Sequence, residues 1–181
     1  MPARVLTPAG DAVVALPDVT LVAVSDVALA ATARALAISQ AGLRFAESLL
    51  LTSREPPPGL CATLRTIEPI TSREAYSRFM LRDLQRHITT SHALCVQWDG
   101  YVLDPARWNP AFLDYDYIGA PWPHFGDAMR VGNGGFSLRS RSCSNFARSW
   151  RSLTRPRTLP SAAPIGPYSN SASGCASPPK T

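Results

Sequence analysis

A strand–helix–strand pattern near the N-terminus constrains the fold of this chain more than any other feature. Val19–Val24 reads VTLVAV, a β-branched apolar run that predicts a buried strand. Ser25 and Asp26 are good helix N-cap residues, and the alanine- and leucine-rich segment after them predicts a helix that ends at Gly42. A second strand is predicted at Phe45–Thr52. Together they have the size of a βαβ unit, which predicts parallel strands in an α/β fold.

The middle of the chain continues the alternation of strands and helices. Leu64–Ile67 predicts a short strand, and REAYSRFMLRDLQRHI predicts a helix because its apolar residues recur at three- and four-residue steps. Ala93–Val96 predicts another buried strand, and Tyr117–Ala120 a short one. Val131–Arg139 reads as a glycine turn that leads into a last strand. We therefore expect one α/β domain over these elements.

The composition divides the chain into three parts. We expect residues 1–17 to form a flexible N-terminus, residues 18–141 to form the domain, and residues 142–181 to form a divergent, basic, largely disordered tail rich in proline and serine. All 13 acidic residues lie at or before Asp127, whereas eight of the 18 basic residues follow it. Non-specific nucleic-acid binding through this basic tail is one alternative function, but its arginines are scattered, so we expect no specific nucleic-acid partner.

Several classes of protein are disfavoured by what the sequence lacks. No run of about 18 apolar residues is present, which predicts that no segment spans a membrane. The first residues lack the basic stretch and apolar core of a secretory signal, and this favours a cytoplasmic protein. The four cysteines form no CxxC pair, and the three histidines no metal-binding pair. The sequence therefore predicts neither a zinc site nor a disulfide framework.

Polar residues follow two of the predicted buried strands. Ser25 and Asp26 follow the first strand. The residues after Ala93–Val96 are Gln97, Trp98, Asp99 and Gly100. Ligands of open α/β sheets bind outside the carboxyl ends of the strands, where a carboxylate followed by glycine can reach a divalent metal or a ribose hydroxyl. The alternatives are an ordinary Asp-Gly turn and a tryptophan that packs in the core.

A glycine-rich segment, GNGGFSLR, occupies residues 132–139. Three glycines in four positions let the backbone approach a ligand closely, and successive amides can hold an anion. Asn133 can bond to hydroxyl groups, and Arg139 can hold a phosphate through two bonds. The segment is neither a Walker loop nor a GxGxxG motif, and the alternative is a hairpin with a surface arginine.

Three segments, QWDGYVLDPARW, FLDYDYIGAPW and VGNGGFSLRSR, resemble in their order and spacing an uncharacterised family of glycosyltransferase-like domains. The resemblance covers residues 18–141 and stops at Arg141. It implies a GT-A-like fold, a Rossmann-like αβα sandwich that is incomplete here at the C-terminus. It further implies a glycosyltransferase that binds a nucleotide-diphospho-sugar donor and transfers the sugar to a hydroxyl of an acceptor that the sequence does not identify.

The resemblance also implies roles for particular residues. The usual metal motif of the GT-A fold, Asp-x-Asp at the end of a buried strand, corresponds here to Gln97–Trp98–Asp99, so Asp99 is the expected ligand of Mg²⁺ or Mn²⁺ or of the donor. Four more residues are expected to line or face the sugar pocket: Trp122, Asn133, Gly134 and Gly135.

One element expected of such an enzyme is missing. Glycosyltransferases of this fold usually carry an acidic residue after the glycine turn, and an inverting enzyme needs a carboxylate as general base. This chain has no Asp or Glu beyond Asp127, so only Asp114, Asp116 or Asp127 can substitute. No catalytic residue is assigned, and the alternative function is a non-catalytic sugar- or nucleotide-binding remnant.

Overall fold

A computed structural model of the protein describes residues 13–120 and 135–142. Within these ranges the chain forms a six-stranded mixed sheet and two α-helices, which confirms the α/β class. The elements are β1 (Val14–Val24), α1 (Leu29–Gln40), β2 (Leu43–Thr52), β3 (Thr63–Thr66), α2 (Arg73–Arg82), β4 (His92–Val96), β5 (Tyr117–Gly119) and β6 (Ser137–Ser140). Short 3-10 helices occupy Leu84–His87, Pro105–Arg107 and Pro110–Asp114.

The strand order in the sheet is β3-β2-β1-β4-β6-β5. β1 pairs in parallel with β2 and β4, β3 pairs in parallel with β2, and β6 runs antiparallel to both β4 and β5. The chain builds the sheet outward from β1 to β3 and then returns to place β4 on the other side of β1. The gap between β1 and β4 is therefore a topological switch point, the place where open α/β sheets bind their ligands.

β1 begins at Val14 rather than at Val19, so the end of the segment that we predicted to be flexible lies in the sheet. Leu16 is buried and pairs with Phe45 of β2. Pro17 then interrupts the ladder because it has no N–H group, and the register shifts between Leu16 and Thr20. Because Pro17 and the polar Asp18 interrupt the apolar pattern, the sequence does not predict this part of the strand.

Helices cover both faces of the sheet. Leu21 and Ala23 of β1 point into a core under α1, whereas Val22 and Val24 point into a core under α2. This explains the continuous apolar run of β1, since a strand that is buried on both faces needs no polar alternation. Within the described ranges, no helix has the length and apolar character that crossing a membrane requires.

The ends of α1 differ from the prediction. The N-cap is Ala28, with a left-handed φ of 49°, and no side chain caps the helix, so the predicted cap role of Ser25 and Asp26 is wrong. At the other end Ala41 is the C-cap, and Gly42 follows it. A Cβ atom on Gly42 would lie 2.4 Å from Cγ of Pro105, so close packing against the proline ring explains the glycine.

Candidate functional site

The candidate site is the opening between the carboxyl ends of β1 and β4. Ala23 pairs with Val96, so the segments that follow these residues leave the sheet side by side. We call this opening the β1–β4 crevice and define it by residues 25–28 and 97–100. The predicted polar residues that follow the two strands therefore do lie at one edge of the sheet, at the switch point.

Residues 97–100 form a tight turn. The amide of Gln97 donates to the carbonyl of Gly100 over 2.9 Å, and the amide of Gly100 donates back to the carbonyl of Gln97 over 3.1 Å. Trp98 and Asp99 stand at the tip, where both side chains are exposed. The turn presents the Asp99 carboxylate at the edge of the crevice, and it is also consistent with the simpler interpretation of an Asp-Gly turn.

Two residues of the glycine-rich segment, Gly135 and Phe136, lie against this turn. Gly100 is buried, and a Cβ atom placed on it would lie 3.1 Å from Cβ of Phe136 and 3.7 Å from the carbonyl oxygen of Gly135. The missing side chain of Gly100 thus lets the two segments touch. Two sequence motifs separated by the whole of β5 meet at one place. The other predicted pocket residues, Trp122, Asn133 and Gly134, lie outside the described residues.

The side chain of Gln97 is directed toward α2. Its amide nitrogen donates to the hydroxyl oxygen of Tyr76 over 2.7 Å. Burial raises the pKa of Tyr76 to about 12, so the phenol remains neutral in the physiological range. The amide predicted to bind substrate is therefore engaged by the protein itself.

On the β1 side, the Ser25 hydroxyl bonds within its own loop. It donates to the carbonyl of Val27 and accepts from the Val27 amide over 3.2 Å. This internal bonding fixes the loop at the entrance of α1. Ser25, predicted to contact substrate, lies at the crevice as expected from its place after β1.

The carboxylate of Asp26 joins three parts of the structure. It accepts hydrogen bonds from the Thr52 hydroxyl at 2.9 Å and from the amides of Ser53 and Ile70, both at 2.7 Å. Burial raises the pKa of Asp26, but these hydrogen bonds outweigh burial and hold the pKa below its ordinary value. Asp26 thus ties the end of β1 to the end of β2 and to the segment that enters α2.

Arg139 lies on the α2 side of β6. Its guanidinium donates to the Ser137 hydroxyl over 3.0 Å and to the Met80 carbonyl over 3.2 Å, and lies 5.3 Å from the centre of the Tyr117 ring. In register it faces Ala93, near the amino end of β4. These contacts link β6 to α2.

Asp116 lies at the other end of the strands, near the amino end of β4. Its carboxylate accepts from the Ser140 hydroxyl over 2.7 Å, and its carbonyl accepts from the Ser140 amide over 2.9 Å. Ser140 pairs with His92 at the amino end of β4, whereas the Asp99 turn follows the carboxyl end of that strand. Asp116 is therefore not placed to act as a base on a ligand in the β1–β4 crevice.

The predicted divalent metal can be tested against the side chains at the site. Within residues 13–120 and 135–142, no group of three or more His, Cys, Asp and Glu side chains is placed to hold a metal ion. The turn supplies the carboxylate of Asp99, and the Gln97 amide is bonded to Tyr76. These side chains do not make a resident metal site. Mg²⁺ or Mn²⁺ would need ligands from the phosphates of a substrate as well.

Reasoning from the sequence placed Asp26 at this site but missed its bonding role, and it missed Tyr76 altogether. Asp26 reads as a helix cap, and Tyr76 reads as one of the apolar residues on a helical face. The role of each depends on partners distant in the chain, Ile70 for Asp26 and Gln97 for Tyr76. No local pattern signals such a partner.

Comparison with known proteins assigns the chain to a family. The sequence model of the family described as "Protein of unknown function (DUF5672)" matches residues 62–167, more than half of the chain. A search of curated proteins finds no match. The matched range contains the Asp99 turn and the glycine-rich segment, and it extends to residue 167. The chain belongs to the DUF5672 family.

Proposed function

We propose that the β1–β4 crevice binds a nucleotide-diphospho-sugar and that the protein transfers the sugar to an acceptor hydroxyl. The observation that carries the proposal is the contact of Gly100 with Gly135 and Phe136. It brings the carboxylate turn and two described residues of the glycine-rich segment together at a topological switch point, where α/β proteins bind nucleotides.

The surface of the crevice suits a ligand with flat rings and hydroxyl groups. Trp98 is 52% exposed at the end of β4, and Val27 is 69% exposed after β1. An exposed indole beside a polar turn can stack on a nucleobase or on the apolar face of a sugar. The two side chains thus offer apolar contacts on both sides of the opening.

The Asp99 carboxylate suits a diphosphate only when a cation lies between the two. Two like charges in contact repel, and a divalent ion bound by one carboxylate and by substrate phosphates removes that repulsion. Bound in this way, Mg²⁺ or Mn²⁺ would neutralise charge on the diphosphate leaving group. Asp99 then orients the donor, and metal binding depends on the presence of the donor.

The strand order supports, as part of the same proposal, a Rossmann-like fold of the GT-A type. The order β3-β2-β1-β4 is that of the first four strands of a doubly wound nucleotide-binding sheet. The departure is confined to the far side, where the antiparallel β6 lies between β4 and β5.

A second candidate function is donor binding without transfer. Asp26 and Asp99 are the carboxylates in the two segments that define the crevice. Asp26 has a lowered pKa and accepts three hydrogen bonds, so it is a poor general base, and Asp116 lies at the other end of the strands. Neither Asp26 nor Asp116 therefore suits the role of general base, which supports this second candidate, and another predicted substitute, Asp127, lies outside the described residues.

Calorimetry with UDP- and GDP-sugars in the presence of Mn²⁺ tests both candidates. We expect donor binding that requires the metal, and we expect Asp99→Asn to weaken it by about tenfold or more, which corresponds to about 1.4 kcal/mol. Asp18→Asn removes an exposed carboxylate of β1 away from the crevice and serves as the matched control.

Turnover separates the two candidates. Release of nucleoside diphosphate together with a transferred or hydrolysed sugar favours the transferase, whereas binding without release favours the non-catalytic domain. If the wild-type protein binds no donor at millimolar concentration, both are refuted. Equal losses in Asp99→Asn and Asp18→Asn would refute the role of Asp99.

A further inference from the structure

We infer that Tyr76 is a positioning residue, which holds the turn that carries Asp99 at the β1–β4 crevice through its hydrogen bond with Gln97. The effect on ligand binding rests on the proposed function. The effect on the turn itself can be measured without any ligand.

Tyr76 is rigidly placed in the first turn of α2. The hydroxyl of Ser72 accepts from the Ala75 amide over 3.1 Å and caps the helix, and the amide of Tyr76 donates to the Ser72 carbonyl over 3.0 Å. Farther along α2, Met80 is buried in the core on this face of the sheet, and the Tyr76 ring packs against the same cluster. The helix therefore presents the Tyr76 hydroxyl from a fixed position.

Gln97 connects Tyr76 to the turn. Its backbone N–H and C=O groups make both hydrogen bonds with Gly100 that close the turn, and its side chain makes the bond to Tyr76. Since one residue makes all three bonds, loss of the side-chain anchor releases the residue on which the turn depends. Trp98 and Asp99 at the tip would then move with it.

The same helix is also attached to the other side of the crevice. The Ile70 amide, just before α2, donates to the Asp26 carboxylate over 2.7 Å. The loop after β1 is thus linked to α2 at its start, and the turn after β4 is linked to α2 one turn later through Tyr76. The helix and the residue before it are thus bonded to both sides of the crevice.

Tyr76→Phe is the test, because it removes the hydroxyl and keeps the buried ring. We expect hydrogen exchange at the amides of Gln97 and Gly100 to become roughly three- to tenfold faster, the equivalent of one net hydrogen bond. Tyr115→Phe, at the end of a 3-10 helix away from the turn, is the matched control and leaves both amides unchanged.

A double-mutant cycle excludes a general loss of stability. Gln97→Leu removes the same bond from the other side, so adding Tyr76→Phe to it should produce no further acceleration of exchange at Gly100. Independent, multiplying effects of the two substitutions would overturn the inference. With a UDP- or GDP-sugar and Mn²⁺, each single variant should raise Kd by about the same three- to tenfold factor.

The outcomes separate the inference from the proposed function. Unchanged exchange at Gln97 and Gly100 in Tyr76→Phe overturns the inference, whatever the protein binds. Faster exchange without any change in Kd, in a protein that does bind a donor, overturns the positioning role. A wild-type protein that binds no donor refutes the proposed function, and the exchange experiment then still decides whether Tyr76 holds the turn.

Discussion

Replacing Asp26 with asparagine should destabilise the fold by uncoupling the end of β1 from its neighbours. One carboxylate oxygen accepts from the Thr52 hydroxyl and the Ser53 amide, and the other accepts from the Ile70 amide. An asparagine side chain has one oxygen and one NH₂ group. Whichever way it turns, the NH₂ group faces an N–H donor, so at least one hydrogen bond is lost.

The size of the effect follows from the kind of bond. A hydrogen bond to a charged group contributes about 1.5–3 kcal/mol, and solvent that reaches the half-buried Asp26 replaces part of it. We therefore expect Asp26→Asn to lower the free energy of unfolding by about 1–2 kcal/mol at neutral pH. Asp18→Asn, at an exposed position, should change it by less than about 0.5 kcal/mol.

The pH dependence of stability provides a second, independent test of the prediction. Burial raises the pKa of Asp26, the hydrogen bonds from Ile70, Ser53 and Thr52 lower it more, and the net pKa lies below the ordinary value of 3.8. A depressed folded-state pKa contributes stability that is fully present above 3.8 and is lost as the pH falls through the folded-state value. Asparagine does not titrate, so the difference in the free energy of unfolding between wild type and variant should disappear only in this acid range.

Urea denaturation followed by circular dichroism, repeated from neutral to acid pH, measures both effects. The expected result is a lower midpoint for Asp26→Asn at neutral pH and converging midpoints below 3.8. Equal midpoints for wild type and Asp26→Asn at neutral pH would refute the reasoning. A difference that persists unchanged through the acid range would show that the carboxylate charge is not its source.

Two further predictions concern glycines in close contacts. Gly42→Ala should lower the free energy of unfolding by about 1–3 kcal/mol, because the new Cβ would lie 2.4 Å from Cγ of the rigid Pro105 ring. Adding Pro105→Gly to this variant should recover part of the loss. A urea midpoint of Gly42→Ala equal to that of the wild type would contradict the prediction. Gly100→Ala should lower the free energy of unfolding by about 1 kcal/mol and also raise the Kd for a donor, since the added Cβ would lie 3.1 Å from Cβ of Phe136. Urea denaturation measures the first effect and calorimetry the second. An unchanged urea midpoint and an unchanged Kd would show that the contact is not close.

The elements that the sequence pattern predicts well are those whose burial is regular. β2 was predicted at Phe45–Thr52 and is observed at Leu43–Thr52, because its apolar run is buried between two helical layers. The helix predicted from REAYSRFMLRDLQRHI is α2, with Ser72 as its cap, but it ends at Arg82, and a 3-10 helix continues at Leu84–His87. Periodicity predicts which face is buried, and it does not distinguish these two helical forms.

The arrangement of the site depends on contacts that no local pattern contains. Asp26 was interpreted as a cap because aspartate before an apolar run usually is one. Its partners are Thr52, Ser53 and Ile70, on segments that the fold alone brings near. The start of α1 at Ala28 is equally hard to predict from the sequence, because Ala28 adopts a left-handed conformation that alanine seldom adopts.

The same distinction explains why the switch point could be located from the sequence while its chemistry could not. Parallel strands place their carboxyl ends at one edge, so residues after β1 and β4 had to converge. The chemistry depends on the neighbouring layer: Gln97 bonds to Tyr76 of α2, and Asp26 bonds to Ile70, just before α2. Trp98 and Asp99 are exposed at the tip of the turn, on the side from which a ligand would approach. On the proposed function, the affinity for a donor at this edge should depend on how firmly α2 and Gly100 hold the turn.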